Sequence, residues 1–493
     1  MTTKPVVVIG AGLGGLSAAC HLRGAGFDVT VVDAGSQPGG RAGTLERTGY
    51  RFDTGPTVLT MPHLIADCLQ AVGVVMADVL TLRPVDPMYR ACFADGSELR
   101  VLHGREAMAG EIRDVCGPAD AAAFDGFCDW LTRLYHLEMP NFIERNFDSP
   151  VDLVRPLGPA LELLRLSAFR HLDTMVERHF TDERLQRLFS FQAMYAGLAP
   201  FEALAIYAII TYMDTVNGVV VPDGGMHAVP RALATAAQRA GVTFRYNTRV
   251  ERILLAAGTS GPVRGVRLAD GEVIAADVVV ANPDLPVAYR SLLPGMPAPR
   301  AARRGRYSPS AVVLHAGVAG EMPAGTAHHN IHFGHEWEDA FRALIHQGIR
   351  MPDPSLLITV PTIDDPTMAP PDRHVLYALE PVPNLDGNID WTSEREPARE
   401  SLLKAVGGLG YPIEVEVEEF VDPLDWESRG MERGTPFGLA HRFFQTGPFR
   451  PSNVEGRAPG LVFVGSSTVP GVGVPMVLIS GRLAAQRVAS MRR

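Results

Sequence analysis

The chain has 493 residues, of which 46% are hydrophobic and 20% charged, and its formal net charge is −10. This length predicts two or three domains with ample core, and the composition is that of a globular protein rather than a disordered one. The negative charge, without clustered Lys and Arg, argues against a nucleic-acid partner.

The cysteines and the apolar stretches indicate where in the cell the protein is expected. An odd number of cysteines without any CxxC pair predicts free thiols in a reducing compartment and neither a disulfide framework nor a metal site. The long uncharged run 458–481 contains three prolines and five glycines, so it predicts no membrane-spanning helix. We therefore expect a cytoplasmic protein, peripheral on the inner face of the cell membrane.

The first forty residues predict a dinucleotide site. An apolar strand at residues 6–9 leads into the GxGxxG loop of residues 10–15 and then into an alanine-rich helix. Gly12 lets the backbone approach a pyrophosphate, and Gly15 allows the helix to pack closely on the strand. A second strand ends at Asp33, whose carboxylate can accept hydrogen bonds from the hydroxyls of an adenosine ribose.

Two further loops follow this motif. Gly39-Gly40-Arg41 places a cation just beyond the ribose-binding acid, where an arginine can pair with the charge of a pyrophosphate. The stretch 52–57 ends in Gly55-Pro56-Thr57, a turn that brings the backbone close to something flat or tightly packed.

Residues 76–217 have a different pattern, in which apolar residues recur at three- and four-residue spacings and glycine turns become sparse. This predicts a helical excursion from the dinucleotide domain. One amphipathic helix is predicted from the apolar positions that share a face: Leu161, Leu164, Ala168, Leu172, Met175 and Val176. Such a helix forms either the core of a substrate domain or a surface that dips into lipid.

Strand and glycine signals return at Gly218. The pattern predicts a strand at 219–221, a turn at 222–226 and a helix at 229–240. Residues 265–268 and 273–280 predict a hairpin around the Asp-Gly turn at 270–271. The chain thus returns to the dinucleotide domain.

A second excursion covers residues 301–455, with strands predicted at 311–315 and 356–360 and a helix at 336–345. A metal site is one interpretation of His328, His329 and His332. However, residues 330–333 alternate like a strand, and no carboxylate lies at the spacing of a metal ligand. A strand whose polar face lines a cavity is the preferred interpretation.

The last forty residues repeat the strand-turn-helix theme. A buried-type strand at 461–464 leads into the glycine-rich turn 465–476 and a terminal helix. Such a turn places backbone N–H groups and a helix dipole against the ribityl chain and ring of a flavin. The overall pattern predicts an α/β fold with a mixed α+β substrate region.

With these elements in place, the chain resembles the bacterial-type phytoene desaturases, FAD-dependent carotenoid desaturases of the flavin amine oxidase superfamily. The resemblance covers essentially the whole length, and the turn 465–475 is its most specific motif. The other motifs that carry it are residues 10–15 with Asp33, 39–41, 52–57, 222–226, 328–329, 434–438 with Gln445, and 449–451.

The resemblance implies a Rossmann-like FAD-binding domain of the glutathione-reductase/amine-oxidase type, assembled from residues 1–75, 218–300 and 456–493. Residues 76–217 and 301–455 would form an inserted substrate-binding domain with a helical, membrane-associated part. The residues implied to bind FAD are Gly10, Gly12, Leu13, Gly14, Gly15, Asp33, Gly39, Gly40, Arg41, Gly55, Pro56, Thr57, Val250, Gly465, Ser466, Gly473, Val474, Pro475 and Met476.

The implied reaction is hydride transfer from an allylic CH2 of phytoene to the flavin, with a proton lost from the neighbouring carbon, towards neurosporene or lycopene. The sequence identifies no catalytic residue. His332, His441 and Glu202 are acid-base candidates, and each also fits a structural role. Because such a hydrocarbon resides in lipid, the resemblance strengthens the expectation of a membrane surface as partner.

Three alternatives remain beside this function. Another carotenoid desaturase or a redox-neutral carotene isomerase would share every motif. A non-catalytic prenyl-binding escort protein would share the N-terminal fold, and the turn 465–475 argues against it. No motif sets the number of desaturation steps, the electron acceptor or the oligomeric state.

Overall fold

The computed structural model describes residues 4–155 and 157–491. Three parts of the predicted domains lie outside the described residues. They are residues 1–3 and 492–493 of the predicted FAD-binding domain and Pro156 of the predicted substrate domain. The strands of these ranges are β1 (Pro5–Ile9), β2 (Asp28–Val32), β3 (Thr44–Arg47), β4 (Tyr50–Asp53), β5 (Leu82–Pro84), β6 (Tyr89–Phe93), β7 (Glu98–Val101), β8 (Val220–Pro222), β9 (Thr243–Arg245), β10 (Val250–Leu255), β11 (Val263–Leu268), β12 (Val273–Ala275), β13 (Val278–Ala281), β14 (Ser310–Ala319), β15 (His329–Phe333), β16 (Leu356–Thr359), β17 (Arg373–Val382), β18 (Glu414–Val421) and β19 (Leu461–Phe463).

Helices connect and cover these strands. They are α1 (Leu13–Gly24), α2 (His63–Ala71), α3 (Arg105–Val115), α4 (Pro118–Glu138), α5 (Leu157–Arg165), α6 (Leu172–Glu177), α7 (Glu183–Leu188), α8 (Ala208–Thr211), α9 (Ala228–Arg239), α10 (Leu285–Leu292), α11 (Arg300–Arg304), α12 (Glu338–Arg342), α13 (Trp391–Gly408), α14 (Pro423–Ser428) and α15 (Val474–Ser490). The predicted helices at 229–240 and 336–345 and the terminal helix correspond to α9, α12 and α15.

A five-stranded parallel sheet carries the two ends of the chain, in the order β19-β13-β1-β2-β9. Helices α1 and α15 pack against each other so closely that a Cβ on Gly481 would lie 2.6 Å from the carbonyl oxygen of Gly14. Strands β1 and β13 are almost entirely buried, as parallel strands covered on both faces must be. The predicted α/β fold is confirmed.

The predicted hairpin is correct only in its first part. Strand β11 pairs antiparallel with β12 around the Asp-Gly turn, but Val278–Ala281 forms β13 and lies between β1 and β19. The prediction that 273–280 is one hairpin strand is therefore wrong. Because all four side chains of β13 are buried, the segment suits the centre of a parallel sheet rather than a solvated hairpin.

A seven-stranded mixed sheet forms the other large layer, in the order β18-β14-β17-β16-β15-β6-β7. The predicted strands at 311–315 and 356–360 correspond to β14 and β16. Strands β5, β6 and β7 come from the region predicted as a helical excursion, so its helical part begins only at Arg105. Buried and less buried residues alternate along Tyr89–Phe93, which is a period of two rather than of 3.6.

The predicted amphipathic helix through Leu161 and Val176 is wrong as a single element. Helix α5 ends at Arg165 and α6 begins at Leu172, and between them Ser167 adopts the left-handed conformation with φ +57°. Leu161 is 54% exposed, whereas Leu172 is fully buried. The break therefore sends the apolar residues of the two halves into different environments. Among the described residues, no helix combines the length and the apolar character needed to cross a bilayer.

Candidate functional site

A cavity of about 1350 Å³ lies along the carboxyl ends of β1, β2 and β13 and continues into the layer beneath the seven-stranded sheet. Ligands of open parallel sheets bind at this edge. The predicted FAD-binding residues that line the cavity are Gly10, Gly12, Leu13, Gly14, Asp33, Gly39, Gly40, Arg41, Gly55, Pro56, Thr57, Val250, Gly465, Ser466, Gly473, Val474, Pro475 and Met476. We call this part of the wall the cradle.

Gly15 is the predicted FAD-binding residue that does not line the cavity. A Cβ on it would overlap the carbonyl oxygen of Gly10, so its role is the close packing of α1 on β1. At Gly12, a Cβ would lie 2.9 Å from Nδ2 of Asn282. The two glycines thus serve different purposes, one in packing and one in keeping the cavity wall free of side chains.

Asp33 follows β2 directly and lies in the cavity wall. One of its carboxylate oxygens accepts a hydrogen bond from the backbone N–H of Ala11 at 2.6 Å, and the other accepts from Gly35, also at 2.6 Å. These bonds fix the carboxylate at the end of the strand, and each oxygen keeps a lone pair for a ribose hydroxyl.

The starts of α1 and α15 both face the cavity. Their N-cap residues are Gly12 and Gly473, and neither helix has a side-chain cap. Apart from Pro475, which has no N–H group, the first turns of both helices therefore offer N–H groups to a phosphate or to a flavin carbonyl. Because glycine-lined loops and open helix starts meet around one cavity, the residues present fit an FAD.

Arg41 joins the two ends of the chain inside the cradle. Its terminal nitrogens donate to Oγ of Ser466 and to Oδ1 of Asp284, each at 2.6 Å. Asp284 is almost fully buried and also accepts from the hydroxyl of Ser467 and the backbone N–H of Glu432. The structure thus gives Arg41 a bridging contact, and its pairing with a pyrophosphate stays a prediction.

Sequence reasoning assigned no role to Asn282 and Asp284, although both line the cradle. Asn282 lies against the backbone of the first and last glycine loops, near Gly12 and Gly465. The signal was present, because both residues directly follow β13 at the carboxyl edge of the sheet, where ligand-binding residues collect.

Beyond the cradle the cavity is lined mainly by apolar side chains, and we call this part the chamber. Its wall includes Phe142, Ile143, Leu163, Phe191, Ile206, Tyr207, Ile209, Ile210, Met213, Ile331, Phe333, Trp337, Phe341 and Leu356. Small-molecule sites typically measure about 300–1,000 Å³, so the whole cavity has room for a second ligand beside a dinucleotide.

The chamber opens at a cluster of exposed apolar side chains, which we call the entrance patch. It consists of Val151, Val154, Leu157, Leu161, Leu164, Phe169, Phe443 and Phe444. Phe169 contacts Phe443, which contacts Phe444, and several members also line the cavity. Isolated exposed apolar residues are ordinary, but a group of them beside a cavity is typical of an interaction surface.

The three acid-base candidates have different positions. His332 shares a 3.0 Å hydrogen bond with the hydroxyl of Tyr411, and burial lowers its pKa to about 4. Glu202 pairs with His346 at 2.9 Å. Neither lines the cavity. His441 does line it, and burial lowers its pKa well below the ordinary range, so its ring is neutral.

The preferred interpretation of the histidine stretch is correct only in part: a strand begins at His329, but the face that lines the cavity carries Ile331 and Phe333 beside His329, whereas Asn330 and His332 do not line it. His329 begins β15 and lines the cavity, whereas His328 pairs with Asp364 at 2.7 Å. Among the described residues, no group of three or more His, Cys, Asp or Glu is arranged to hold a metal ion.

Comparison with known proteins decides the class of this site. The family model of flavin containing amine oxidoreductases matches residues 13–489. The chain is 48% identical to a phytoene dehydrogenase of Streptomyces griseus and 38% identical to a zeta-carotene-forming phytoene desaturase of Myxococcus xanthus. The first alignment covers 99% of this chain and 95% of the relative, and the second covers 98% and 94%. The chain belongs to the phytoene desaturase group of this family.

A solved structure of cyclohexylamine oxidase from Brevibacterium oxydans shares the fold, with a TM-score of 0.59 at 17% identity over the full length of both chains. Membership in the group makes the protein an FAD-dependent oxidoreductase, which confirms the predicted class and cofactor. It also rules out the alternative that the chain is a non-catalytic escort protein.

Proposed function

We propose that this carotenoid desaturase acts on phytoene or a closely related polyene and introduces double bonds towards neurosporene or lycopene. The observation that carries the proposal is the continuity of the cavity, which joins the cradle to an apolar chamber and then to the entrance patch. The names of the relatives from Streptomyces and Myxococcus support a polyene of this kind.

The cradle residues predicted from sequence would hold the FAD. Asp33 and the start of α1 would bind its ADP part, and the turn 465–476 with the start of α15 would bind its ring. Bound FAD would supply an acceptor for a hydride, that is, for two electrons and one proton. We propose accordingly that residues 1–75, 218–300 and 456–493 form the FAD-binding domain, and 76–217 and 301–455 the substrate domain.

The chamber would position the hydrocarbon and exclude water. Phytoene has no polar atom, so its recognition depends on the burial of apolar surface, worth about 25 cal/mol per Å². Residues such as Ile209, Ile210 and Met213 supply that surface next to the cradle. Holding an allylic carbon at a fixed position lowers the barrier without any new polar contact to the substrate.

The entrance patch would dock on a lipid bilayer, from which the substrate enters the chamber. Helix α5 exposes Leu157, Leu161 and Leu164 along one face, so that it can lie in the interface plane. Arg165 and Arg442 are exposed nearby and suit anionic headgroups. The expected location on the inner face of the cell membrane rests on the free cysteines and stays a prediction.

The test is incubation of FAD-loaded protein with phytoene in liposomes of anionic and zwitterionic lipids, followed by chromatography and mass spectrometry. We expect products with longer chromophores that absorb in the visible, each having lost two hydrogens per new double bond. Unchanged phytoene overturns the proposal. A product of unchanged mass identifies a redox-neutral isomerase in its place.

A further inference from the structure

A buried polar group interrupts the apolar wall of the chamber. Asp214 lies in the cavity wall, within a π-helical turn at Tyr212–Val216 that follows α8. Such turns often occur at functional sites. The hydroxyl of Thr215 donates to Oδ1 of Asp214 at 2.9 Å, and the amide of Gln192 donates to Oδ2 at 3.4 Å. A carboxyl group is thus held in place at the surface of a chamber built for a hydrocarbon.

The neighbours of this carboxyl keep unused hydrogen-bonding capacity. The Tyr89 hydroxyl lies beside Asp214 in the cavity wall and favours its charged form. Within the described part of the chain, Oε1 of Gln192 and Nδ1 of His329, a residue of the cavity wall, are buried without a hydrogen-bond partner. Buried polar groups are normally paired, so unpaired ones around a cavity indicate that they interact with what happens inside it.

A series of contacts links this polar group to the cradle. The hydroxyl of Thr359 contacts that of Thr57, a cradle residue, at 3.5 Å. Thr359 pairs with His329 between β16 and β15, and the His329 ring contacts the Tyr89 ring with centroids 6.4 Å apart. A continuous run of contacts therefore leads from the loop 55–57 to Asp214.

We propose that the Asp214 carboxylate accepts the proton released in each desaturation step, an inference that rests on the proposed function. One C–H bond breaks as its hydrogen leaves with the electron pair to FAD. The C–H bond on the neighbouring carbon breaks as its proton forms an O–H bond with Asp214, and that bond's electron pair becomes the new double bond. Asp214 then releases the proton before the next step.

Asp214 and Glu138 are buried carboxyl groups in the chamber wall, whereas Glu336 is exposed, and the chemistry of the buried pair favours Asp214. Burial raises the pKa of Asp214 to about 7, and the hydroxyls of Tyr89 and Thr215 and the amide of Gln192 oppose that rise. A base with a pKa near neutrality is suited to proton transfer. Burial raises the pKa of Glu138 well above its ordinary value with no opposing partner, so that group is protonated and cannot accept.

The experiment is a single anaerobic turnover of the FAD-loaded protein with phytoene in liposomes, followed by flavin bleaching. We expect Asp214→Asn to bleach about 10²–10⁴-fold more slowly than wild type, with the FAD content and the apparent phytoene affinity retained. Asp214→Glu should recover part of the rate. The matched control is Asp120→Asn, since Asp120 is a buried carboxyl that accepts from Thr181 and lies outside the cavity wall. This control should bleach at the wild-type rate.

If Asp214→Asn bleaches its flavin at a rate within about threefold of wild type, the inference is overturned. It is also overturned if Glu138→Gln, and not Asp214→Asn, lowers the bleaching rate. If Asp214→Asn does not retain FAD, infrared difference spectra of the wild type decide. At a pH above the pKa of Asp214, a protonated-carboxyl band should appear together with flavin bleaching, and its absence overturns the inference. Wild-type protein that leaves phytoene unchanged overturns the proposed function instead.

Discussion

The cradle and the entrance patch show two ways in which one chain encodes a binding surface. The cradle is built from backbone: glycines keep side chains out of its wall, and two helix starts point their N–H groups into it. The entrance patch is built from side chains of separate segments, at 151–169 and 443–444, and the contact between Phe169 and Phe443 exists only in the folded chain. The first surface recognises a fixed polar shape, whereas the second offers apolar area without a specific shape.

This difference explains why one surface tolerates little change and the other a great deal. A side chain added at Gly12, Gly40 or Gly55 of the cradle meets backbone or Asn282. A side chain changed in the entrance patch meets solvent, so we expect it to alter the proposed association with lipid rather than the fold. The predictions below test this contrast.

The largest effect is expected from Gly12→Val. The new side chain would occupy the space where Asn282 and the cradle approach each other, and would keep a pyrophosphate away from the backbone. We expect the FAD content of the purified protein to fall at least about tenfold. Gly126→Ala is the control, since a Cβ there meets no atom within 4 Å. Flavin absorbance per protein decides, and equal FAD retention in the two variants would refute this placement of the cofactor.

A smaller effect, on stability rather than on FAD content, is expected from Arg41→Met, which leaves the buried Asp284 without its cation. Removing one partner of a buried ion pair costs several kcal/mol, and because Arg41 is about one-third exposed we expect a loss of about 2 kcal/mol in the free energy of unfolding. Arg105→Met removes a pair of the same 2.6 Å length that is exposed on both sides, and should cost less than about 1 kcal/mol. Chemical denaturation measures both, and equal losses would contradict the bridging role.

The double change Leu161→Asp and Leu164→Asp should weaken binding to anionic liposomes by about tenfold or more, because each leucine offers roughly 1.5–3 kcal/mol on burial. Turnover of detergent-solubilised phytoene should persist. The control pair is Val75→Asp and Val273→Asp, two exposed valines outside the entrance patch. Liposome co-sedimentation is the measurement, and the same loss in both pairs would show that the entrance patch is not the docking surface.

The smallest effect concerns the break between α5 and α6. Ser167→Gly places a residue that tolerates positive φ at this left-handed position, and should raise the free energy of unfolding by up to about 1 kcal/mol. Ala122→Gly, in the exposed face of α4, should lower it by about the same amount. Destabilisation by both changes would mean that strain at Ser167 is not significant.

The cradle could be predicted because its pieces are local. Each is a strand, a glycine turn and a helix start within about thirty residues, and the spacing to Asp33 adds the ribose contact. Asn282 and Asp284 were missed although they occupy the same edge, because the sequence prediction made 278–280 the end of a hairpin strand rather than a central strand of the parallel sheet. The break at Ser167 was missed because apolar spacing cannot distinguish one helix from two that bury different faces.

Asp214 is a residue whose role could not be predicted from the sequence. In the sequence it is one acidic residue in an apolar stretch, and nothing in its local pattern marks it. Only the fold brings β6, the segment around Gln192 and the turn Tyr212–Val216 around one cavity and surrounds the carboxyl with unpaired polar groups. The pKa of such a group depends on burial and on neighbours that are distant in the chain.

The sequence by itself determined the α/β class and the glycine loops at the two chain ends, which we propose to form one FAD site, because glycine geometry and helix starts act over a few residues. Tertiary structure alone decided the chamber, the entrance patch and the position of Asp214. Those features depend on which side chains meet across β6, α5 and the loop at 443–444, and contacts between distant segments have no local signature.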